Sequence, residues 1–341
     1  MRALVTGGLG FIGCNLTHRL LQDGHEVVIY DNGSRLGVQQ NLQWLRHCHG
    51  SRVNWINEDS RNAASVNNAM KGIDVVFHLA AQVAVTTSVA NPRTDFEVNA
   101  VGTINVLEAA RQLEPSPIVL FTSTNKVYGG LEGVEVLEEE TRYRLSPAFA
   151  NGISETFPLD FHSPYGCSKG TADQYVRDYY RIFALPTVVF RMSCIYGTRQ
   201  MGNEDQGWVA HLARMVFQGK EVQIFGDGKQ VRDLLFIDDL IEAMLKAVGH
   251  IDRTAGQVYN LGGGPAHTMS IWEEFRESLS LILGKSPQAQ YGAWRPGDQR
   301  IYVSDIRKVQ QHLDWMPIVG IAEGLGRMVE AWKAETVASA A

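Results

Sequence analysis

Short apolar runs rich in β-branched residues alternate with longer amphipathic segments in the first third of the chain. The runs occupy residues 3–8, 26–32, 53–59, 74–81 and 117–124. Between the first two, the segment Phe11–Asp23 places Ile12, Leu16 and Leu20 four residues apart, as on the apolar stripe of a helix. Strands that alternate with helices predict an α/β fold, a doubly wound parallel sheet covered by helices on both faces.

The rest of the chain is less regular and predicts a smaller second lobe. A polar, proline-containing stretch from about Glu132 to Pro164 follows neither period, so we expect long loops there. Strand-like residues return after this stretch, and a helical pattern follows the later of them. The expected division is a sheet domain over 1–186 with returns near 187–197 and 234–250, and a discontinuous C-terminal lobe mainly over 198–333.

Composition narrows the classes of function. The 31 Lys and Arg against 37 Asp and Glu give a net charge of −6, which excludes a generally basic nucleic-acid-binding surface. No apolar run approaches the ~18 residues that a membrane-spanning helix needs, and the chain begins with a strand-like segment instead of a signal sequence. We therefore expect a cytoplasmic protein that binds neither nucleic acid nor membrane.

The metal-ligating residue types predict no metal site. The four cysteines lie far apart and form no CxxC pair, which argues against both a zinc site and a disulfide framework. His47 and His49 are close in sequence, but no cysteine or acidic ligand cluster accompanies them. We expect these two histidines to lie on a solvated surface.

A glycine-rich turn lies between the first strand and the helix that follows it. Gly7, Gly10 and Gly13 have the spacing GxxGxxG. Glycine permits a tight turn, a close approach of the backbone to a pyrophosphate, and close packing of the helix on the strand. The helix start at Phe11 and Ile12 would present free N–H groups and the positive end of the helix dipole to the phosphates. The turn therefore predicts a dinucleotide cofactor.

The end of the second strand indicates which dinucleotide binds. Asp31, 18 residues after the last glycine of the turn and followed by Asn32, can accept the ribose hydroxyls of the adenosine half. Because a carboxylate would repel a 2′-phosphate, NAD is favoured over NADP. Arg35 could instead accommodate that phosphate, stack over adenine or be a solvated loop charge. Asp59 and Ser60, after the third strand, could bind the adenine amino group or simply shape a turn.

A tyrosine and a lysine four residues apart form the candidate catalytic group. Tyr165 and Lys169 share one face if this segment is helical. A phenol titrates at ~10 in water, so it serves as a base near neutral pH only if a nearby cation stabilises the phenolate. Ser123 and Thr124 end the strand-like run before them, and Thr124 could orient a sugar hydroxyl toward Tyr165. The alternatives are a surface pair for Tyr165 and Lys169 and a helix cap for Ser123 and Thr124.

Together these motifs resemble the extended short-chain dehydrogenase/reductase family, which contains the nucleotide-sugar epimerases and dehydratases. The resemblance runs from residue 3 to about 333 and rests on TGGLGFIG, YDN, HLAA, TSTNKVYG, YGCSK and GDGKQVRD. It implies a Rossmann domain of about seven parallel strands that holds NAD, with a smaller C-terminal lobe that binds a nucleotide sugar.

The resemblance also implies roles for individual residues. Tyr165 would act as base and then as acid, with Lys169 as its electrostatic partner. Asn99 would support the active-site helix, although a helix cap is the alternative for that residue. Further cofactor contacts are implied at Leu79, Ala80 and Gln82. Substrate contacts are implied at Thr124, Asn125, Lys126, Gln206, Arg232 and Arg295, the two arginines binding the diphosphate; for Arg232 an internal ion pair with Asp233 is the alternative.

Several stretches resemble the members of the family that invert C2 of a CDP-hexose. Cys194 stands where epimerases that act at C4 of UDP-sugars usually have Asn. A UDP-hexose or UDP-uronate 4-epimerase remains the alternative. A 4,6-dehydratase would carry Asp-Glu where this chain has Asn125 and Lys126, and the complete set of Thr124, Tyr165 and Lys169 argues against a non-catalytic NAD-sensing protein. The resemblance further implies a homodimer or homotetramer that pairs through a four-helix interface.

Overall fold

The computed structural model describes residues 1–295 and 298–340. The strands are β1 Arg2–Thr6, β2 Glu26–Tyr30, β3 Asn54–Ile56, β4 Val75–His78, β5 Ile118–Thr124, β6 Val136–Glu138, β7 Tyr143–Leu145, β8 Thr187–Met192, β9 Cys194–Tyr196, β10 Val222–Phe225, β11 Val231–Phe236, β12 Gln257–Leu261, β13 Thr268–Ser270, β14 Ala289–Gly292 and β15 Ile301–Tyr302.

The α-helices are α1 Phe11–Gln22, α2 Val38–His49, α3 Ala63–Ala69, α4 Val85–Ala90, α5 Pro92–Phe96, α6 Gly102–Arg111, α7 Ser163–Phe183, α8 Trp208–Phe217, α9 Ile237–Gly249, α10 Ile251–Thr254, α11 Glu273–Leu283, α12 Arg307–Leu313 and α13 Ile321–Ala340. A π-helical turn, Glu97–Val101, joins α5 to α6. Within the described ranges, none of these helices combines the length and the apolar composition needed to cross a bilayer.

The chain forms two compact units. The first contains residues 1–127, 161–191 and 241–259, and the second contains 128–160, 192–240 and the part from 260 onward. The main difference from the expected division is that 128–160 belong to the second unit. The backbone explains this, because the Tyr143 amide donates to the carbonyl of Lys229 at 3.0 Å, and Tyr143 and Leu145 share an apolar cluster with Val231.

A seven-stranded sheet forms the centre of the first unit, in the order β12-β8-β5-β4-β1-β2-β3. The pairs β1–β2, β2–β3, β1–β4 and β4–β5 are parallel. Leu4, Val28 and Val76 pack into one core cluster together with residues of α3, α6 and α7. The alternate positions of the same strands, such as Val5 and Phe77, are also buried, so both faces of the sheet are covered. The predicted doubly wound α/β fold is confirmed.

This strand order determines where a ligand can bind in the first unit. The chain runs outward from β1 to β3 and then returns to the other side of β1 at β4. The connections on either side of such a reversal diverge, which leaves a crevice at the carboxyl ends of the two central strands. Those ends carry the glycine-rich turn after β1 and the loop that follows β4.

The second unit is built from smaller sheets. β11 pairs with β13, β15 and β9, and separate pairs are formed by β10 with β14 and by β6 with β7. A fully buried carboxylate, Asp233, connects the loops around β11. It accepts the amides of Gly264 at 3.1 Å and Ser304 at 3.2 Å, and also the hydroxyl of Ser193. Burial raises the pKa of Asp233, while these hydrogen bonds oppose the rise.

Two short elements of the second unit differ from their sequence predictions. The stretch from Glu132 to Pro164 contains the hairpin β6–β7, where only loops were expected. The run 187–197, expected as one strand, divides into β8 of the large sheet and β9, which pairs with β11. The strands β6, β7 and β9 have three residues each and are too short to show an alternating pattern, so their tertiary partners define them.

A buried ion pair between α7 and β8 generates a stability prediction. Arg191 donates to both carboxylate oxygens of Asp173 at 2.9 Å, and both residues are buried. Because Arg191→Ala leaves an uncompensated charge in the core, we expect it to lower the free energy of unfolding by about 3–5 kcal/mol in urea denaturation. Arg93→Ala, which removes a pair with Glu97 at an exposed site, serves as the control and costs well under ~1 kcal/mol. Equal losses in the two variants would contradict this role of the buried pair.

Candidate active site

The glycine-rich turn has the shape that a pyrophosphate requires. Gly7 has φ +68°, and a Cβ atom there would lie 2.8 Å from the amide nitrogen of Ala80. A Cβ on Gly13 would overlap the carbonyl oxygen of Gly7. No side chain caps the start of α1, so the N–H groups at this helix terminus are available to phosphate oxygens. The cradle fits a dinucleotide.

Asp31 follows β2, and two backbone amides hold its carboxylate in place. Its Oδ2 accepts the amide of Leu9 at 3.0 Å and its Oδ1 accepts the amide of Gly33 at 2.9 Å. Burial raises the pKa of Asp31, while these two amides and the positive charge of Arg35 oppose the rise. Each oxygen keeps a lone pair beyond its amide bond, which suits it to accept ribose hydroxyls.

Asp59 lies beside Asn32 at the same edge of the sheet. Asn32 donates its side-chain amide to Asp59 at 2.9 Å, and Arg61 donates two side-chain hydrogen bonds to the same carboxylate. The Arg61 hydrogen bonds hold the pKa of Asp59 at about 2. Asp59 also accepts the backbone amide of Arg61, so it shapes this turn in addition to any contact with adenine. Ser60 is buried, and a Cβ on Gly102 would lie 2.6 Å from its hydroxyl.

The loop after β4 forms hydrogen bonds with two neighbouring segments. The amides of Leu79 and Ala80 both donate to Thr6 Oγ1 at 3.2 Å. Further along the loop, Gln82 and Asn99 exchange two hydrogen bonds, from the Gln82 amide to Asn99 Oδ1 at 2.9 Å and from Asn99 Nδ2 to the Gln82 carbonyl at 3.0 Å. Asn99 belongs to the π-helical turn, an irregularity that is frequent at functional sites.

The structure brings Thr124, Tyr165 and Lys169 together. Thr124 ends β5, and Tyr165 and Lys169 lie one turn apart on α7, as their spacing predicted. Tyr165 is hydrogen bonded to Thr124. Lys169 Nζ donates to the carbonyl of Thr122 at 2.6 Å and lies 4.2 Å from the ring centroid of Phe121.

Burial dominates the electrostatics of these groups. It raises the pKa of Tyr165 to about 12, against the hydrogen bond from Thr124, and it lowers the pKa of Lys169 to about 7. His78 forms hydrogen bonds with Thr6 and Thr103. Burial and the charge of Lys169 lower the pKa of His78 to about 3, so its ring is neutral near pH 7. Among the neighbouring charges, that of Asp95 raises the pKa of Tyr165 further and that of Arg35 lowers it.

The predicted substrate residues fall into two groups. Asn125 and Lys126 follow Thr124 directly: the Lys126 amide donates to Thr124 Oγ1 at 3.2 Å, and Thr124 Oγ1 donates to Asn125 Oδ1 at 3.4 Å. Gln206, Arg232 and Arg295 belong to the second unit.

The two predicted substrate arginines, Arg232 and Arg295, each already contact a carboxylate. Arg232 is buried on β11 and donates to Asp298 at 2.8 Å, so its ion-pair partner is Asp298 and not the neighbouring Asp233. Arg295 lies 4.0 Å from the ring centroid of Phe225 and donates to the carbonyl of Glu204 at 3.1 Å.

Gln206 and Cys194 each have a local partner in the second unit. Gln206 is held in a turn, where its backbone amide donates to Asn203 Oδ1 at 2.9 Å. Cys194 on β9 accepts a hydrogen bond from the indole of Trp208 at 3.4 Å, and that indole also packs edge-on against Phe275.

Sequence reasoning missed two buried carboxylates that act on Lys169, Asp95 and Asp173. Asp95 accepts hydrogen bonds from Ser168, Gln82 and Asn99, and Asp173 lies one helical turn after Lys169. The spacing of four residues could have indicated Asp173. Asp95 is 73 residues from Ser168 in the chain, and no local pattern connects them.

Comparisons with known proteins identify the family of the chain. Residues 3–262 match the NAD dependent epimerase/dehydratase family. The chain is 41% identical to CDP-paratose 2-epimerase of Salmonella typhi, covering 97% of this chain and 98% of that protein. It is 32% identical to UDP-glucose 4-epimerase of Mycolicibacterium smegmatis, with 98% and 99% covered.

A solved structure shows the same fold. UDP-glucuronic acid 4-epimerase of Bacillus cereus, in complex with UDP-glucuronic acid and NAD, superposes with a TM-score of 0.84 at 30% identity over 98% of this chain and all of that one. The chain therefore belongs to the NAD dependent epimerase/dehydratase family, which confirms both the family resemblance and the NAD cofactor inferred from the sequence.

Proposed function

We propose that the chain is an epimerase that inverts C2 of a CDP-hexose, in a reaction of the CDP-paratose to CDP-tyvelose type. The observation that carries this proposal is the 41% identity to a CDP-paratose 2-epimerase over nearly the full length of both chains. Cys194, on β9 beside Trp208, adds support because it replaces the Asn expected of a UDP-sugar 4-epimerase.

In this proposal a single side chain, Tyr165, carries out both proton transfers. Tyr165 Oη takes the proton from the C2 hydroxyl and returns it after the sugar has presented its other face. Thr124 orients that hydroxyl through its own side-chain oxygen. Bound NAD supplies a hydride acceptor and later donor, so C2 becomes a ketone and is reduced again without net oxidation.

Lys169 makes the proton transfer feasible near neutral pH. Since the pKa of Tyr165 lies at about 12, chiefly because of burial, a neighbouring cation is needed to stabilise the phenolate, and in this proposal the ammonium of Lys169 is that cation. The carbonyl of Thr122 fixes that ammonium near the end of β5.

The cofactor and the substrate are both anionic, whereas the whole chain has a net charge of −6. The start of α1 binds one diphosphate, and Asp31 with Asn32 binds the adenosine ribose. Arg232 and Arg295 bind the diphosphate of the nucleotide sugar through guanidinium N–H groups that their carboxylate partners do not use. Local donors therefore overcome an unfavourable net charge.

We further infer that the enzyme is a cytoplasmic homodimer. Its four cysteines are all free, as expected in a reducing compartment. Large apolar side chains are exposed on three neighbouring elements of the first unit, and exposed apolar patches often mark protein interfaces. They come from α5, the π-helical turn and α7, and comprise Phe96, Val101, Tyr175, Ile182 and Phe183.

The substrate and the position of inversion are tested together. Purified enzyme is incubated in deuterium oxide with CDP-paratose or CDP-glucose, and in parallel with UDP-glucose, and the products are analysed by NMR. We expect inversion at C2 of the CDP-sugar without deuterium at that carbon, because the hydride stays within the enzyme. Deuterium at C2 would contradict hydride transfer, and inversion at C4 of UDP-glucose alone would identify a 4-epimerase instead.

The role of Tyr165 is tested by removing its hydroxyl. Tyr165→Phe eliminates the proton acceptor, so we expect turnover to fall by about 10²–10⁴-fold while NAD remains bound. The control is Tyr180→Phe, a tyrosine on the same helix that is part of no proposed contact with substrate or cofactor, and it leaves turnover unchanged. Turnover of Tyr165→Phe within a few fold of the wild type would refute the assignment.

The dimer is tested by placing a charge on the exposed apolar region. Ile182→Glu puts a carboxylate where the partner chain would pack, so we expect sedimentation analysis to show monomers at concentrations where the wild type is dimeric. Leu281→Glu changes a side chain that is even more exposed but lies on α11 of the second unit, and it leaves the assembly intact. A monomeric wild type, or a dimer that tolerates Ile182→Glu, would overturn this interface.

A further inference from the structure

Asp95 is a fully buried carboxylate to which the reaction described above gives no role. It accepts hydrogen bonds from Ser168 Oγ at 2.5 Å, Gln82 Nε2 at 3.0 Å and Asn99 Nδ2 at 3.2 Å. The three donors lie on α7, on the loop after β4 and on the π-helical turn. One carboxylate on α5 therefore connects the helix that carries Tyr165 to the loop that is expected to hold the cofactor.

The charge of Asp95 is not balanced by its own hydrogen bonds. All three donors are uncharged, and no lysine or arginine in the described part of the chain forms an ion pair with Asp95. A buried carboxylate without a cation is costly, so its charge needs compensation from a nearby group. Lys169, the residue next to Ser168, is the nearby cation: burial raises the pKa of Asp95 and lowers that of Lys169, and the charge of each residue opposes the effect of burial on the other.

Burial lowers the pKa of Lys169, and two carboxylates oppose this effect, Asp173 more than Asp95. Asp173, on the same helix, is also engaged by two side-chain hydrogen bonds from Arg191. His78 on β4 is neutral near pH 7, and so is Tyr165 until it gives up its proton. Asp95 is thus the buried negative charge beside Lys169 that has no cationic partner of its own in the described residues.

We propose that Asp95 is a positioning residue for the epimerisation: it fixes α7 to the loop after β4 through Ser168 and Gln82, and its negative charge keeps Lys169 in the ammonium form. The inference rests on the proposed function, which assigns Lys169 the task of stabilising the Tyr165 phenolate. A neutral amine at Lys169 could not perform that task, and burial of the side chain favours the neutral amine.

The test is a titration of Lys169 that requires no substrate. Holoenzyme labelled with carbon-13 at the lysine Cε is titrated by NMR, and Lys169→Met assigns the resonance. In Asp95→Asn, which preserves shape and removes charge, we expect the Lys169 midpoint to fall by about one pH unit from about 7. Ser168→Ala breaks the bond to α7 but keeps the carboxylate, and it leaves the midpoint in place. An unchanged midpoint in Asp95→Asn would overturn the proposal.

The reciprocal variant covers the case in which Asp95→Asn fails to fold. In Lys169→Met the carboxylate loses its compensating charge, so the Asp95 carboxyl resonance must titrate at a higher pH than in the wild type. An Asp95 midpoint that is unchanged by the loss of Lys169 would equally contradict the coupling.

Enzyme kinetics then separate an electrostatic role from a purely structural one. Activity requires charged Lys169 and is lost as the pH rises through its pKa, so Asp95→Asn shifts the basic limb of the kcat profile to lower pH. Ser168→Ala lowers kcat without shifting that limb. If the wild type converts no CDP-hexose, the proposed function fails, and the NMR titration alone still decides whether Asp95 controls the charge of Lys169.

Discussion

The active site depends on keeping a positive charge where almost no water reaches it. Lys169 is 3% exposed, packs on the ring of Phe121 and donates to the carbonyl of Thr122. Burial favours its neutral form, yet a phenol at the same depth becomes a base only beside an ammonium. The surrounding carboxylates, Asp95 and Asp173, oppose the effect of burial. The structure of this region therefore balances buried charges, and the proposed reaction would depend on that balance.

The backbone provides the other half of the site. Contacts between Gly7 and the backbone of Ala80, and between Gly13 and the carbonyl of Gly7, are so close that no side chain fits. These contacts hold the turn after β1 against the loop after β4, at the point where the order of strands reverses. That loop in turn bonds Asn99 and, through Gln82, Asp95. The expected cofactor cradle and the buried charges thus belong to one connected arrangement.

Local spacing explains how much of this could be predicted from the sequence. Three features are short-range patterns next to or within a strand or helix of ordinary length: the glycine turn, Asp31, and the pair Tyr165 and Lys169. The structure places them on the expected elements. The three-residue strand β6 carries no period and was missed, and β9 was expected as a continuation of β8. Asp95 was missed because its partners come from distant segments. The same holds for Arg232, whose carboxylate partner is Asp298 and not the adjacent Asp233.

Under the proposed function, this chain holds NAD and a CDP-hexose. The most direct measurement is mass spectrometry of the nucleotides released when freshly purified protein is denatured. We expect NAD, together with cytidine diphosphate or its hexose where a substrate is retained. Release of NADP would contradict the role given to Asp31, and release of a UDP-sugar would contradict the choice of a CDP-hexose.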